Sequence, residues 1–296
     1  MTRTDKLFSK IDRNGFGLEI GPSYNPVAPK RDGYNVEIVD HLDQEALIKK
    51  YQGMDVDPGR IEFVDHVWQG QPLDELIGQT ECYDWIIASH VIEHVPDVIG
   101  FLEQCQRLLK PNGTLSLAVP DKRFCFDHFR SLSTTGDLLD AYFQKRSRHP
   151  SGQVFDHFIS EVLLNGLGTW SKGVQGDLSF ARSLVDAKAL LDYSRHPDAG
   201  YVDIHAWRFT PSSFRLILQD LNDLQILALR ESAMFETVDC EFFVSLNSST
   251  TRQRVDRLVL CKQIERELTS GQFVAESDLN KTADVCNQSK TAQFTV

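Results

Sequence analysis

Gly21 closes the apolar run Phe16-Gly17-Leu18-Glu19-Ile20, and Asp40 closes a second run, Tyr34-Asn35-Val36-Glu37-Ile38-Val39. A residue without a Cβ lets backbone approach a ligand closely, and an acid about twenty residues further on can accept hydrogen bonds from both hydroxyls of a ribose. Gly21 and Asp40 have that spacing, so the pair suits an adenosine-containing ligand. Glu19 would then face a cationic amino group. Asp65, after the stretch Ile61-Glu62-Phe63-Val64, would stand near an adenine amine, or else is a solvated loop residue. A dinucleotide site needs the later glycines of G-x-G-x-x-G to cradle a pyrophosphate. Here Pro22-Ser23-Tyr24-Asn25-Pro26 follows Gly21, which points to a ligand without phosphates. An apolar strand ending on Gly can also be a plain β-turn, so the blocks further along must decide.

Those residues need strands to hold them. Leu7, Phe8 and Ile11 suggest a short N-terminal helix ended by Asn14-Gly15, and Leu42, Ala46, Leu47 and Tyr51 give a helix after Asp40. Asp57-Pro58-Gly59 turns the chain into a third strand at Ile61 to Val64, and Leu73 to Ile77 forms another short helix. Cys82-Tyr83-Asp84-Trp85-Ile86-Ile87-Ala88-Ser89 is nearly continuous in apolar character, as a buried parallel strand is. Asp97 can cap a helix carrying Val98, Phe101, Leu102, Cys105, Leu108 and Leu109; Lys110-Pro111-Asn112-Gly113 stops it, and Thr114 to Pro120 is the next strand. Strand, helix, turn and strand in that order make a βαβ unit. Helices are then expected at Leu138 to Arg146, Phe155 to Leu164 and Ala181 to Tyr193, and one from Ser212 to Leu221 capped by Thr210 with Pro211 at its first position. Gln225 to Arg230 and Glu241 to Leu246 read as the last two strands.

With these blocks in place the chain resembles the class I S-adenosylmethionine-dependent methyltransferases, near the type 11-like group. The resemblance rests on Glu19-Ile20-Gly21, Tyr83-Asp84-Trp85-Ile86-Ile87, Ile92-Glu93-His94-Val95-Pro96 and Leu108-Leu109-Lys110-Pro111-Asn112-Gly113, ordered over residues 16 to 120. It implies an α/β fold: a Rossmann-like, doubly wound, mostly parallel seven-stranded sheet with a last antiparallel strand and a helical insertion after strand five. It also implies S-adenosyl-L-methionine as cofactor, with Ser89 and His90 joining Glu19, Gly21, Asp40 and Asp65 around it. Residues 1–120 would be the cofactor-binding half, 121–204 an insertion serving as substrate lid or merely packing, 205–262 the C-terminal part of the domain, and 263–296 a polar tail.

Methyl transfer from a sulfonium is an in-line displacement, so the protein must align an acceptor and exclude water. A hydroxyl acceptor also benefits from a general base, for which His is the usual side chain. Of nine His residues, His128 and His205 are the first choices because they lie at the two ends of the insertion; each also reads as a hydrogen-bonded structural residue. His94 is expected to pack. Asp121, Lys122 and Arg123 could hold a polar acceptor or form an exposed charged turn, and His157 and Trp207 are expected to join them in substrate binding. No set of side chains compels a metal, and none is expected, although Mg²⁺ on scattered oxygens stays open.

Composition narrows the partners. At 296 residues, with 41% hydrophobic and 25% charged residues, the chain suits one large domain with an insertion. A net charge of -11 disfavours a nucleic-acid backbone as main partner. The six Cys residues form no C-x-x-C pair, so free thiols are expected. No apolar run reaches the roughly 18 residues of a membrane span, and the polar N-terminus lacks a signal-peptide core, so a cytoplasmic location is expected. A small-molecule or glycan acceptor is preferred, with methylation at oxygen. The alternatives are an aromatic or lipid-like metabolite, or a catalytically silent methyltransferase-like binding module; the oligomeric state stays open.

Overall fold

The computed structural model describes residues 1–251 and 254–270. Its centre is a seven-stranded sheet built from β1 (Gly17–Ile20), β2 (Val36–Asp40), β3 (His66–Val67), β4 (Tyr83–Ser89), β5 (Leu109–Pro120), β8 (Arg230–Val238) and β9 (Glu241–Asn247). The spatial order is β3-β2-β1-β4-β5-β9-β8, and a separate hairpin pairs β6 (Val162–Leu164) with β7 (Leu178–Phe180). Strands β1 to β5 are parallel, and β9 runs antiparallel to both β5 and β8. This is the doubly wound sheet expected from the resemblance.

The apolar run of β4 explains its central position. Trp85 and Ile87 pack on one face with Phe8, Ala28 and Val36, while Ile86 and Ala88 pack on the other with residues of α4 (Val98–Leu108) and α8 (Pro211–Asp223). Complete burial of side chains this size contributes about 1.5–3 kcal/mol each. Gly17 pairs with Trp85 across the strands, and a Cβ there would fall 2.1 Å from the indole, so that crossing requires glycine. Asp97 caps α4 by accepting from Gly100 N at 2.9 Å, and Thr210 caps α8 with Pro211 in its first turn. Helices α1 (Arg3–Leu7), α2 (Gln44–Tyr51) and α3 (Leu73–Ile77) accompany the first half of the sheet. The insertion holds α5 (Thr135–Phe143), α6 (Ser151–Ser160), the β6–β7 hairpin and α7 (Leu184–Ser194). No helix among the described residues is long and apolar enough to cross a membrane.

Four expectations are corrected. The third strand is His66–Val67: Ile61 and Val64 bury their side chains against Ile38 and Leu47, but backbone pairing begins only where Asp65 N reaches Ile38 O at 2.9 Å. The expected helix from Phe155 to Leu164 ends at Ser160, and its last residues form β6. Strand β8 starts at Arg230, because Asn222 Nδ2 holds the carbonyls of Leu227 and Leu229 at 2.6 and 2.9 Å in a loop against α8. Residues 263–270, expected in the tail, belong to α9 (Arg257–Ser270), which Glu267 anchors by accepting from Ser212 Oγ at 2.7 Å. The remainder of the expected tail lies outside the described residues.

Candidate functional site

At the carboxyl ends of β1 and β2, Gly21 adopts φ +65° and donates its N–H to Val39 O at 2.8 Å. L-residues with a Cβ rarely adopt this left-handed turn. The atom nearest to an added Cβ is Val91 Cγ2 at 2.9 Å, so within the protein the crowding at Gly21 comes from the turn after β4. Asp40 is buried beside it: Oδ2 accepts from Ser23 N at 2.8 Å, and Oδ1 accepts from His41 N at 2.8 Å and from His41 Nδ1 at 2.6 Å.

The two other acids expected here, Glu19 and Asp65, both hold backbone donors. Glu19 gives both oxygens to the loop after Gly21, accepting from Val27 N at 2.6 Å and Ala28 N at 2.9 Å. Burial pushes its carboxyl up to about 7, with those two donors pulling the other way. Asp65 accepts from Ile38 N at 2.7 Å and Lys30 Nζ at 2.5 Å, beside the middle of β2. Because β3 starts later than the sequence suggested, the residue beyond its end is Trp68, whose N–H reaches Asp40 O at 2.7 Å.

A polar cluster fills the same edge of the sheet beyond β4 and β5. The turn after β4 carries His90, at φ +55°, with Glu93 and His94; the segment after β5 brings Asp127 and Arg130; the return of the insertion brings Asp203 and His205. Glu93 is 0% exposed. Its Oε1 lies 3.5 Å from His90 Nδ1, 3.8 Å from His94 Nε2 and 3.9 Å from His205 Nε2, and neither of its carboxylate oxygens has a hydrogen-bond partner. Each imidazole meets a second carboxylate through its other nitrogen: His90 Nε2 to Glu241 at 2.8 Å, His94 Nδ1 to Asp203 at 2.8 Å, and His205 Nδ1 to Asp127 at 2.6 Å. Arg130 donates to Asp127 and to His205 O, each at 2.6 Å, while Arg3 bonds Glu241 at 2.7 Å and Ser89 Oγ at 2.6 Å. Phe126 covers His205, with ring centroids 4.4 Å apart.

Charge in this cluster is strongly coupled. Burial works to raise the carboxyl groups of Glu93 and Asp127, but the surrounding imidazoles, and Arg130 for Asp127, hold both below the usual carboxylate range. Burial disfavours the charged form of His90, yet Glu241 and Glu93 together push it up to about 9. His157, buried 6.1 Å from His205 between ring centroids, is pushed down to about 3 by burial.

Of the residues singled out from sequence, the structure thus gathers Ser89, His90 and His205 with His157 at the border. His128 instead donates Nδ1–H to Arg123 O at 2.8 Å and lies against Phe129 and Trp170. Asp121 is fully buried, pairs with Arg123 Nε at 2.9 Å and accepts from Thr237 Oγ1 at 2.6 Å. Arg123 extends that tie to Glu267 O at 3.0 Å, and Lys122 Nζ caps His128 O at 2.6 Å. Trp207 is a buried strut whose Nε1–H donates to Val95 O at 2.6 Å. Sequence reasoning missed Glu93, Asp127 and Asp203 and gave His94 only a packing role. One signal was present: His90 and His94 are four apart around an acid, in His90-Val91-Ile92-Glu93-His94.

A seven-stranded sheet with this order, an antiparallel β9, a glycine turn after β1 and an acid ending β2 defines the class I methyltransferase fold. A family model described as a methyltransferase domain matches residues 2–222. The chain belongs to this family of S-adenosylmethionine-dependent methyltransferases. The ubiquinone biosynthesis O-methyltransferase of Homo sapiens is 29% identical over 103 residues, which are 34% of this chain and 22% of that protein. Its counterpart from Rhodopseudomonas palustris is 42% identical over 50 residues, 17% of this chain and 20% of that one. The chain thus spans about a fifth of the length of these relatives. A S-adenosylmethionine-dependent methyltransferase from Methanosarcina mazei aligns over 81% of this chain and 95% of its own, at 13% identity and a TM-score of 0.41.

Proposed function

We propose that the chain transfers a methyl group from S-adenosylmethionine to a polar small-molecule or glycan acceptor, at oxygen. The carrying observation is the contact between the two halves of the edge. Val91 stands so close to the Gly21 turn that a Cβ added at Gly21 would lie 2.9 Å from Val91 Cγ2, and His90 and Glu93 on the same turn as Val91 open the buried polar cluster. S-adenosylmethionine supplies a methyl group on positively charged sulfur. The residues fit the rest of that ligand: Gly21 provides a tight turn, and Asp40 a buried carboxylate whose Oδ1 partner, the exposed ring of His41, a ribose hydroxyl can replace. Ser89 and His90 flank it at the end of β4.

The chain's own residues must hold the acceptor oxygen in line, keep water out and take the hydroxyl proton. The insertion, residues 121–204, serves as the wall or lid, and the proton passes into the cluster of Glu93, His94 and His205. His205 is preferred to His128 because Asp127 orients it, as an acid orients the imidazole of a catalytic triad. The relatives' O-methyltransferase activity supports oxygen as the acceptor atom. A second reading, an aromatic acceptor, is favoured by Phe126 and Phe158 beside His157 and His205.

Calorimetry with S-adenosylmethionine and S-adenosylhomocysteine, followed by mass spectrometry of a metabolite extract incubated with methyl-labelled cofactor, tests the reading. Binding of both and a labelled oxygen-methylated product are expected. No binding of either at millimolar concentration would leave only a silent binding module.

A further inference from the structure

We propose that Glu93, His94 and His205 bind a divalent transition-metal ion of the zinc and iron class. Their ligand atoms, one carboxylate oxygen and two imidazole nitrogens, lie within 4.8 Å of one another. Two histidines and one carboxylate form the set that holds zinc with an open position or non-haem iron. Metal–ligand bonds of roughly 2.0–2.2 Å space ligands about 3–4 Å apart. Glu93 Oε1 stands 3.8 Å from His94 Nε2 and 3.9 Å from His205 Nε2, in that range and beyond hydrogen-bond length.

Two independent observations point to a ligand between them. Glu93 is 0% exposed and neither of its oxygens makes a hydrogen bond; Oε1 instead faces three imidazole nitrogens at 3.5–3.9 Å, each too far to bond it directly and so leaving room for an ion between them. The imidazoles are also held as metal-binding imidazoles are: Asp203 takes Nδ1 of His94 and Asp127 takes Nδ1 of His205, leaving each Nε2 directed at Glu93. His90 Nδ1, 3.5 Å from the same oxygen and backed by Glu241, is a fourth donor at hand. The spacing His90-x-x-Glu93-His94 carries little by itself, because the segment is a turn rather than the helix in which that spacing puts two histidines on one face. The inference goes beyond methyl transfer and does not rest on it; with an ion bound, Nε2 of His205 would be a ligand rather than a proton acceptor, and the ion would take over its task by lowering the pKa of the acceptor hydroxyl.

The test uses the whole chain, stripped with a chelator and titrated with Co²⁺ alone, without cofactor. One equivalent should bind with visible d–d absorption, and Zn²⁺ should displace it. His94→Gln should abolish the band. Asp203→Asn, which changes an exposed residue behind His94, should weaken binding by about tenfold to a hundredfold with native circular dichroism. X-ray absorption at the zinc edge of the unmodified chain should show imidazole scattering, which no folding defect of a variant can mimic. Absence of cobalt uptake by the folded chain, uptake unchanged in both variants, or a zinc spectrum without imidazole would each overturn the proposal and leave a cluster of histidines paired with carboxylates.

Discussion

Nδ1 of His205 sits 2.6 Å from Oδ2 of Asp127, so the two ends of the insertion close on each other at the carboxyl edge of the sheet. Asp127→Asn keeps the volume but removes the charge that fixes the tautomer of His205. Turnover should fall by about tenfold to a hundredfold, with cofactor affinity within about twofold. A purely structural role would lower the melting temperature and leave kcat per folded molecule unchanged.

Asp40→Ala tests the ribose contact. Losing charge-assisted hydrogen bonds of about 1.5–3 kcal/mol should weaken S-adenosylhomocysteine binding by roughly ten- to a hundredfold. Equal affinity in calorimetry would place the ribose elsewhere.

Gly21→Ala forces a Cβ into a left-handed turn and towards Val91. The backbone share alone should cost about 1–2 kcal/mol in urea unfolding. Adding Val91→Ala should relieve the contact and leave the backbone share. A neutral Gly21→Ala would contradict the turn.

Arg123→Met separates structure from recognition. It strands the buried carboxylate of Asp121, which should cost about 3–5 kcal/mol of stability, and the acceptor KM should not change. A raised KM at unchanged stability would return these residues to the acceptor site.

Glu19 sets a pH dependence. Its folded pKa of about 7 lies above the ordinary 4.5, so the native state keeps a proton that the unfolded chain releases. The associated stability is fully present below about pH 4.5 and is lost as pH rises through about 7. Between pH 5 and 8 the chain should lose on the order of 1–3 kcal/mol relative to Glu19→Gln. Parallel stability curves for the two proteins would refute it.

The sheet was legible because its central strands announce themselves locally: an uninterrupted apolar run for β4, an aspartate cap for α4, and a glycine and an acid ending β1 and β2. β3 was misplaced because side-chain burial at Ile61 and Val64 mimics a strand where the backbone is unpaired. The cluster was only half legible. His90, Glu93 and His94 are close in sequence, but Asp127, Asp203 and Glu241 reach them by chain folding, and no local pattern marks an aspartate that will face an imidazole 78 residues away. The pairing of Asp121 with Arg123 was illegible for the opposite reason: charges two residues apart look solvated, yet here they neutralise each other inside the protein.

Arg3 meets Glu241 across 238 residues of chain, and Glu241 in turn holds His90. During synthesis the first helix therefore leaves the ribosome long before the strand that it clamps exists. The sheet from β1 to β5 can be laid down while translation continues, but the histidine edge can lock only after β9 has emerged. A ribosome stalled before Glu241 would display a nascent chain with strands β1 to β5 made and the Nε2 of His90 still without its carboxylate.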